Sequence, residues 1–378
     1  MRIGIDARFY GPKCKGLGRY TQKLIENLEL IDHKNEYIIF LRKEMWNEYM
    51  PQNHKFKKVL ADFRWYSLPE QIFFPILIRR QKLDLMHFLH FNVPILYFGK
   101  FIVTIHDLIL RHFPTHHAST LGPIRYFFKN LSYRIVIWLA IKRAEEIIAV
   151  SIYVKNDITK NFSVNSDKIS VIYEGVDIKA ENKEKLRMKN FELKQGIQKD
   201  YLLYVGNAYP HKNLERLIRA FGILINKYKQ NLQLILVGEK DYFYKRLKSF
   251  VDYQPLFVRQ NIIFTGFVSD EYLSVLYQGA SIYIFPSLCE GFGLPPLEAM
   301  NFGVPVVSSD ATCLPEILGN AAFYFEARNA ENISKAIIEV LSNKHLQENL
   351  IQNGYKQIKK YYWKKMAKKI IRIYEKNI

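Results

Sequence analysis

The chain has 378 residues, of which 49% are hydrophobic and 15% aromatic. This length suits two α/β domains of roughly 150–200 residues each, and the composition excludes an intrinsically disordered chain. The formal net charge of +19 favours nucleic acid, an anionic membrane surface or an anionic small molecule as a partner. Alternatively, the charge only reflects the high Lys, Asn and Ile content of a protein encoded by an AT-rich genome.

The three cysteines, Cys14, Cys289 and Cys313, show neither zinc-ligand spacing nor a disulfide framework, so we expect a reducing compartment. No signal peptide is apparent before the first apolar segment. The most apolar stretch, Ile135–Ala149, is interrupted by charged residues and is shorter than the ~20 apolar residues that span a bilayer. We therefore expect a cytoplasmic protein that is either soluble or peripherally bound to the inner face of the cell membrane.

Short apolar segments alternate with helical patterns along the chain, which is typical of a parallel sheet with crossover helices. In the first half the predicted strands are Arg2–Asp6, Tyr37–Leu41, Leu85–Phe88, Phe101–Ile105, Glu146–Val150 and Ser170–Ile172. In the second half they are Tyr201–Val205, Leu232–Val237, Ile262–Thr265, Ser281–Phe285, Val304–Ser308 and Ala322–Phe325. The pattern predicts two successive six-stranded doubly wound units, which bind ligands at the carboxyl ends of their strands.

The boundary between the two units is predicted in a charged stretch without an apolar strand. We expect a first domain over residues 1–177, a linker over residues 178–199 and a second domain over residues 200–359. The end of the chain, Lys356–Ile378, has eight lysines, one arginine and one acidic residue, with apolar residues at helical spacing. This pattern predicts a basic amphipathic helix, with residues 360–378 packing back on the first domain or contacting an anionic membrane.

In chain order, the first candidate loop is Gly11–Tyr20, which follows the first strand and opens a helix. Gly16 and Gly18 provide a backbone that a phosphate or an acceptor can approach closely. No third glycine completes the dinucleotide fingerprint, which disfavours a nicotinamide enzyme. The apolar segments Trp65–Tyr66 and Ile72–Phe74 belong either to the core or to a surface that contacts an acceptor or a membrane.

The second candidate loop begins with His106 and Asp107, directly after the strand Phe101–Ile105. A histidine at a strand end can hydrogen-bond substrate hydroxyls, whereas Asp107 is expected to brace the loop. His87 and His90 lie three residues apart on an earlier strand and loop without further ligands, so a metal site there is not expected.

A strand, a glycine turn and a helix opening follow one another from Tyr201 to Leu214. Lys212 lies at the helix start, where its ammonium group could neutralise a diphosphate as a point charge. The alternative is an ordinary surface lysine.

The segment from Ser281 to Met300 holds the most specific pattern in the chain. An apolar strand ends at Pro286, Glu290 follows in a loop, and a helix starts near Pro295, so the amides around Gly293 form an anion site. Glu298 lies on the first helical turn. Two carboxylates beside a helix start suit a ligand with hydroxyls and phosphate, although both could be ordinary capping acids.

This segment, EGFGLPPLEAM, resembles glycosyltransferase family 4, whose signature is two glutamates separated by seven residues. The resemblance covers essentially the whole chain and implies a GT-B fold, α/β with two Rossmann-like doubly wound domains facing across a cleft. It also implies that Glu290 and the amides of Gly291, Phe292, Gly293 and Leu294 contact the transferred sugar, and that Glu298 binds the nucleotide ribose.

The same resemblance implies roles for the other candidate residues. Gly206 and Lys212 match the family's phosphate loop, but Asn207 stands where the family places a first cation. Either Arg216 or His211 compensates for Asn207, or fewer charges hold the phosphates. His106 matches a family histidine near the donor sugar, and the loop with Gly16 and Gly18 matches the family's glycine-rich first loop.

The resemblance implies a retaining hexosyltransferase that uses a nucleotide-diphosphate sugar as co-substrate and no other cofactor. Bacterial relatives favour GDP-mannose as the donor and a glycan or lipid-linked glycan of a surface polysaccharide as the acceptor. The catalytic candidates are His106, Lys212 and Glu290. Because an Asp-x-Asp motif is absent, we expect no metal, with Lys212 and helix dipoles stabilising the leaving diphosphate.

Several alternatives remain open at this stage. A sugar-nucleotide 2-epimerase or a phosphorylase of related fold is one, and a non-catalytic binding homologue is another. A basic nucleic-acid-binding protein would need a recognition module that the sequence does not show, so nucleic acid is not an expected partner.

Overall fold

The computed structural model describes residues 1–113, 123–177, 196–198 and 200–377, without the side chains of residues 13 and 123–129. These residues divide into two compact units, Met1–Gly175 with Tyr361–Ile378, and Val176–Lys360. Apart from residues 196–198, the predicted linker at 178–199 lies outside the described residues.

The first unit contains a seven-stranded parallel sheet in the order β3-β2-β1-β4-β5-β6-β7. Its strands are β1 Arg2–Asp6, β2 Glu36–Leu41, β3 Phe56–Leu60, β4 Leu85–Phe88, β5 Phe101–Ile105, β6 Ile147–Ala149 and β7 Ile169–Val171. The prediction of six strands was wrong because it omitted β3. This strand lies at the sheet edge and is only partly buried, so Lys57 and Lys58 interrupt the apolar run by which the other strands are recognised.

The helices described within the first 175 residues are α1 Lys15–Ile31, α2 Leu68–Arg80, α3 Ile109–His112, α4 Pro123–Arg143 and α5 Ile152–Phe162. Serine side chains fix the starts of two of them. The hydroxyl of Ser67 accepts the amide of Glu70 at α2, and that of Ser151 accepts the amide of Val154 at α5. Each satisfies one of the backbone donors that a helix start leaves unpaired.

The second unit contains a six-stranded parallel sheet in the order β10-β9-β8-β11-β12-β13. Its strands are β8 Tyr201–Val205, β9 Gln233–Val237, β10 Ile262–Gly266, β11 Ile282–Phe285, β12 Val306–Ser309 and β13 Ala322–Phe325. Counted within the unit, this is the Rossmann order 3-2-1-4-5-6, and the chain direction of the crossovers reverses between β8 and β11. The loops that follow these two strands therefore flank the position where such sheets bind ligands.

The helices of the second unit are α6 Leu214–Asn226, α7 Tyr242–Asp252, α8 Leu256–Arg259, α9 Asp270–Gly279, α10 Leu294–Asn301, α11 Leu314–Leu318, α12 Ala330–Ser342 and α13 Lys344–Ile358. Pro295 lies in the first turn of α10, where the sequence predicts a helix start, Asp270 lies in the first turn of α9, and Asn213 is the residue before α6. The predicted first-turn position of Glu298 was wrong, because α10 begins at Leu294 and Glu298 is its fifth residue.

The last helix, α14 Trp363–Lys376, belongs to the first unit. It corresponds to the helix predicted at residues 360–378, whereas Lys356, Gln357 and Ile358 belong to the end of α13. The apolar face of α14 is buried, and the hydroxyl of Tyr374 lies 2.8 Å from Nδ1 of the buried His87. This face is therefore occupied by the protein's own first unit, while its lysines lie mostly on the outside.

Within the described ranges, no helix combines the length and the apolar character that crossing a bilayer requires.

Candidate active site

The loops after β8 and β11 are joined by hydrogen bonds. The amide of Leu288 donates to the carbonyl of His211 over 2.7 Å. The side-chain amide of Asn213 donates to the carbonyls of Pro286, 3.0 Å away, and Ala327, 2.7 Å away. Asn213 has a φ of +63°, a conformation that asparagine tolerates better than most residues. One side chain thus holds together the ends of β8, β11 and β13.

Lys212 and Glu290 meet at this junction. Nζ of Lys212 donates to Oε1 of Glu290 over 2.6 Å, and their side chains are 14% and 10% exposed. The amide of Glu290 donates to the hydroxyl of Thr312 over 3.1 Å, which fixes the loop backbone. The pair therefore places a cation and a carboxylate side by side, with a small part of each side chain exposed.

The start of α10 adds backbone donors beside Glu290. Gly293 precedes the helix with a φ of +94°, and a Cβ atom there would lie 2.9 Å from the side chain of Leu314. The conformation therefore requires glycine. Pro295 and Pro296 have no N–H groups, so the backbone donors that this helix start can offer to an anion are those of Gly293 and Leu294.

Glu298 projects from α10 toward a group of tyrosines. Its Oε2 accepts the hydroxyl of Tyr277 over 3.2 Å. Burial and the charges of Glu298 and Glu290 raise the pKa of Tyr283 well above its ordinary value. Both signature carboxylates therefore lie within electrostatic range of one buried phenol, and the structure brings Lys212, Glu290 and Glu298 into one neighbourhood.

The turn after β8 contains Gly206 and Asn207. Gly206 has a φ of +153°, and a Cβ atom there would lie 2.7 Å from the hydroxyl of Tyr204. Asn207 accepts the Tyr204 hydroxyl at its carbonyl over 2.8 Å, and its side-chain oxygen faces the amide of Tyr209 at 3.3 Å. Asn207 therefore has both oxygens directed to protein donors.

The two proposed substitutes for a cation at position 207 have other roles in the structure. Arg216 donates to the side-chain oxygen of Asn213. Burial, with the nearby charge of Lys212, lowers the pKa of His211 to about 4, so this imidazole is neutral near pH 7. Lys212 is the candidate of this loop whose ammonium group directly contacts a signature glutamate.

His106 follows β5 in the first unit, and both of its ring nitrogens have protein partners. Nε2 lies 3.1 Å from the carbonyl of Leu89, and Nδ1 lies 3.0 Å from Oε1 of Glu174. A carbonyl can only accept, so Nε2 donates to Leu89, and Nδ1 faces the carboxyl group of Glu174. Sequence reasoning missed Glu174, which follows β7 without a recognisable motif.

The two glycines of the first loop differ in their surroundings. A Cβ atom on Gly18 would lie 1.9 Å from the carbonyl of Gly11, whereas one on Gly16 would have no atom within 4 Å. Gly18 is therefore explained by packing of α1 against the preceding loop. Gly16 is exposed and remains the candidate for close approach of a ligand. Tyr20, on the same helix, places its ring edge against His106 with centroids 4.6 Å apart.

A buried charge network, not foreseen from the sequence, supports the loop after β1. Arg8 donates to Asp6 over 2.7 Å and to Glu70 over 2.6 Å, and Glu70 also accepts the side-chain amide of Asn92 over 2.7 Å. The network ties the carboxyl ends of β1 and β4 to the start of α2. The sequence signal is an arginine directly after a buried strand, which by itself looks like a surface residue.

Among the described residues, no group of three or more His, Cys, Asp or Glu side chains is arranged to hold a metal ion.

Comparison with known proteins gives consistent matches. The family profile "Glycosyltransferase Family 4" matches residues 15–180, and "Glycosyl transferases group 1" matches residues 187–357. The chain is 30% identical over 273 residues to O-antigen chain mannosyltransferase RfbU of Salmonella typhimurium, covering 72% of this chain and 69% of that protein. It is 28% identical to O-antigen chain mannosyltransferase B of Escherichia coli, covering 95% and 96%.

A solved structure shows the same fold. HepE of Anabaena, in complex with UDP-glucose, superposes with a TM-score of 0.75 at 16% identity, covering 99% of both chains. The two parallel α/β sheets described above are thus those of the GT-B fold. Together with the relatives and both profiles, they identify the chain as a member of glycosyltransferase family 4.

Proposed function

We propose that this glycosyltransferase moves a hexose from a nucleotide-diphosphate sugar to a hydroxyl of a glycan or lipid-linked glycan, with retention of anomeric configuration. The observation that carries the proposal is the contact of Lys212 with Glu290 over 2.6 Å, at the carboxyl ends of β8 and β11. A sugar diphosphate has the two features this pair can recognise, because phosphate attracts the ammonium and hydroxyls donate to the carboxylate.

In the proposed reaction, the bond between the anomeric carbon and the diphosphate oxygen breaks and a bond to the acceptor oxygen forms on the same face. The departing diphosphate takes the acceptor proton. Lys212 and the amides before α10 stabilise the charge that develops on the leaving group. Glu290 orients the sugar, and Glu298 accepts hydrogen bonds from the ribose. No metal and no further cofactor are part of the proposal.

His106 contributes to this proposal as a group held in a fixed position beside the donor sugar. Its two ring nitrogens are paired with the carbonyl of Leu89 and the carboxyl group of Glu174, and these contacts fix the orientation of the ring. Gly16 is the proposed point of backbone approach in the first unit.

GDP-mannose is the proposed donor, because relatives that cover most of this chain are named mannosyltransferases of O-antigen chains. The proposed acceptor is accordingly a precursor of a cell-surface polysaccharide on the cytoplasmic side of the membrane.

The test is a donor screen that measures nucleotide release from GDP-mannose, UDP-glucose, UDP-galactose and UDP-N-acetylglucosamine, with glycan acceptors. We expect one donor to be turned over and the substitution Glu290→Gln to lower kcat by about 10²- to 10³-fold. Glu348→Gln, on an exposed residue of α13, is the matched control and should keep full activity. Conversion of a sugar nucleotide without nucleotide release would instead indicate an epimerase, and no turnover of any donor would contradict the proposal.

Peripheral membrane contact is the second part of the proposal, and α4 is its proposed site. Its sequence contains five basic and no acidic residues, and Leu131, Ile135 and Trp138 are exposed along one side. An apolar stripe within a basic helix suits insertion at an anionic lipid surface. The apolar face of α14 is already buried and cannot serve this purpose.

Vesicle sedimentation tests this contact. We expect binding to vesicles with anionic lipid and weaker binding to zwitterionic vesicles or in high salt. The triple substitution of Leu131, Ile135 and Trp138 by glutamine should release the protein from the vesicles. Tyr253→Gln, at an exposed aromatic residue of the second unit, should have no effect. Equal binding of the triple variant would assign the contact to another surface.

A further inference from the structure

Three tyrosines approach the turn after β8 from different elements. The hydroxyl of Tyr204, on β8, donates to the carbonyl of Asn207 over 2.8 Å. That of Tyr244, on α7, lies 2.9 Å from the carbonyl of Gly206 and 3.0 Å from that of Val237. The hydroxyl of Tyr283, on β11, donates to the carbonyl of Val205 over 3.3 Å. Three consecutive carbonyls, of residues 205–207, thus each face a phenol.

All three hydroxyls are available as donors near neutral pH. Burial raises the pKa of Tyr204, Tyr244 and Tyr283 above the ordinary value, so these phenols are protonated there. The protein also leaves space for them. A Cβ atom on Gly206 would lie 2.7 Å from the Tyr204 hydroxyl, and one on Gly238 would lie 2.4 Å from that of Tyr244. The hydroxyls and the absence of side chains at these glycines are therefore matched.

We propose that Tyr204, Tyr244 and Tyr283 are positioning residues that draw the carbonyls of the 205–207 turn toward the protein interior, so that the turn can accept the donor's diphosphate. This inference rests on the proposed nucleotide-sugar function. Carbonyl oxygens carry partial negative charge, and a diphosphate is repelled by any that face it. Holding them against phenols removes that repulsion, which matters most in a turn that has a neutral residue at position 207.

The orientation of the Asn207 side chain is fixed as well as that of its carbonyl group. Because the side-chain oxygen of Asn207 faces the amide of Tyr209, the Nδ2 group is the end directed away from that contact. Asn207 then offers a neutral N–H donor to a phosphate oxygen, and Lys212 offers the charged one. In place of the first of the family's two cations, this turn therefore offers the side-chain amide of Asn207 and carbonyl groups that are held away from the phosphates.

Tyrosine-to-phenylalanine substitutions test the inference, because they keep the buried rings and remove only the hydroxyls. Tyr204→Phe, Tyr244→Phe and Tyr283→Phe would be compared by calorimetric titration with GDP and UDP, and with guanosine and uridine, which lack phosphates. We expect about three- to tenfold weaker binding of the diphosphate for each variant and no change for the nucleoside. The KM of the donor should rise more than kcat falls.

Two other tyrosines provide matched controls. Tyr201 donates to the carbonyl of Leu276 over 2.9 Å and Tyr324 to that of Gly319 over 2.6 Å, so Tyr201→Phe and Tyr324→Phe remove the same kind of bond away from the turn. Both should keep the wild-type ratio of diphosphate to nucleoside affinity. If the three turn variants also keep that ratio, the inference is wrong. If the wild-type protein binds neither GDP nor UDP, the proposed function fails instead.

Discussion

Lys212 lies at the carboxyl end of β8 with its ammonium group 2.6 Å from Glu290. Both side chains are only slightly exposed, which excludes much of the water that would screen their charges. An ammonium in this setting stabilises a departing diphosphate far more than one on the open surface.

The substitution Lys212→Gln should therefore lower kcat/KM for the donor by about 10²- to 10³-fold. Steady-state measurement of nucleotide release would check this, with Lys335→Gln at an exposed position of α12 as the control. Activity within a factor of two of the wild type would place the diphosphate elsewhere.

At the residue scale, the sequence indicated candidate site residues but not the contacts that they make. Lys212 and Glu290 could be chosen because each lies in a loop that follows a strand, and Glu298 because seven residues separate it from Glu290. Glu174 and the three turn tyrosines could not, because their roles depend on which side chains approach them from distant segments. A tyrosine in a buried strand looks like a core residue until the carbonyl it faces is known.

At the scale of elements, the sequence predicted twelve of the thirteen strands found among the described residues, since buried parallel strands form continuous apolar runs. The edge strand β3 was missed because half of its residues face solvent. The basic and apolar pattern that starts at Lys356 does not by itself locate the break between α13 and α14, because it continues through the break at helical spacing.

Helix α1 offers a prediction at this scale through its two glycines. Gly18→Ala would place a methyl group 1.9 Å from the carbonyl of Gly11 and should destabilise the fold by about 1–3 kcal/mol or more. Gly16→Ala meets no atom and should stabilise α1 by about 0.5–1 kcal/mol, because alanine loses less backbone entropy in a helix.

Urea denaturation of the two variants, followed by the fluorescence of the first unit, would measure the difference. Similar midpoints would contradict the packing explanation for Gly18. Since Gly16→Ala keeps the fold, a loss of its transferase activity would support ligand approach at Gly16, and full activity would exclude it.

For the whole molecule, buried histidines predict the response to acid. Burial lowers the pKa of His87 and His90 in the first unit to about 3, and that of His211 in the second to about 4. Between these values and the ordinary value near 6.5, the unfolded chain binds protons that the folded chain does not. Stability is therefore complete above about pH 6.5 and decreases as the pH falls below it.

Thermal unfolding between pH 7.5 and pH 5 would measure this loss, which we expect to approach about 1 kcal/mol per pH unit for each histidine. This range lies above the titration of ordinary carboxylates. His87→Gln should make the dependence less steep, whereas His345→Gln, on an exposed residue, should leave it unchanged. A wild-type melting temperature that does not change over the range would show that these imidazoles accept protons without unfolding.

The return of α14 to the first unit has a consequence for how the protein is made. Tyr374 is fully buried beside His87, and Gly175 has no room for a side chain because Trp363 covers it. The ribosome synthesises these partners after all of the second unit. The second unit therefore has its complete sequence before the first can close its core, so we expect the N-terminal half of the nascent chain to depend on chaperones until α14 has been synthesised.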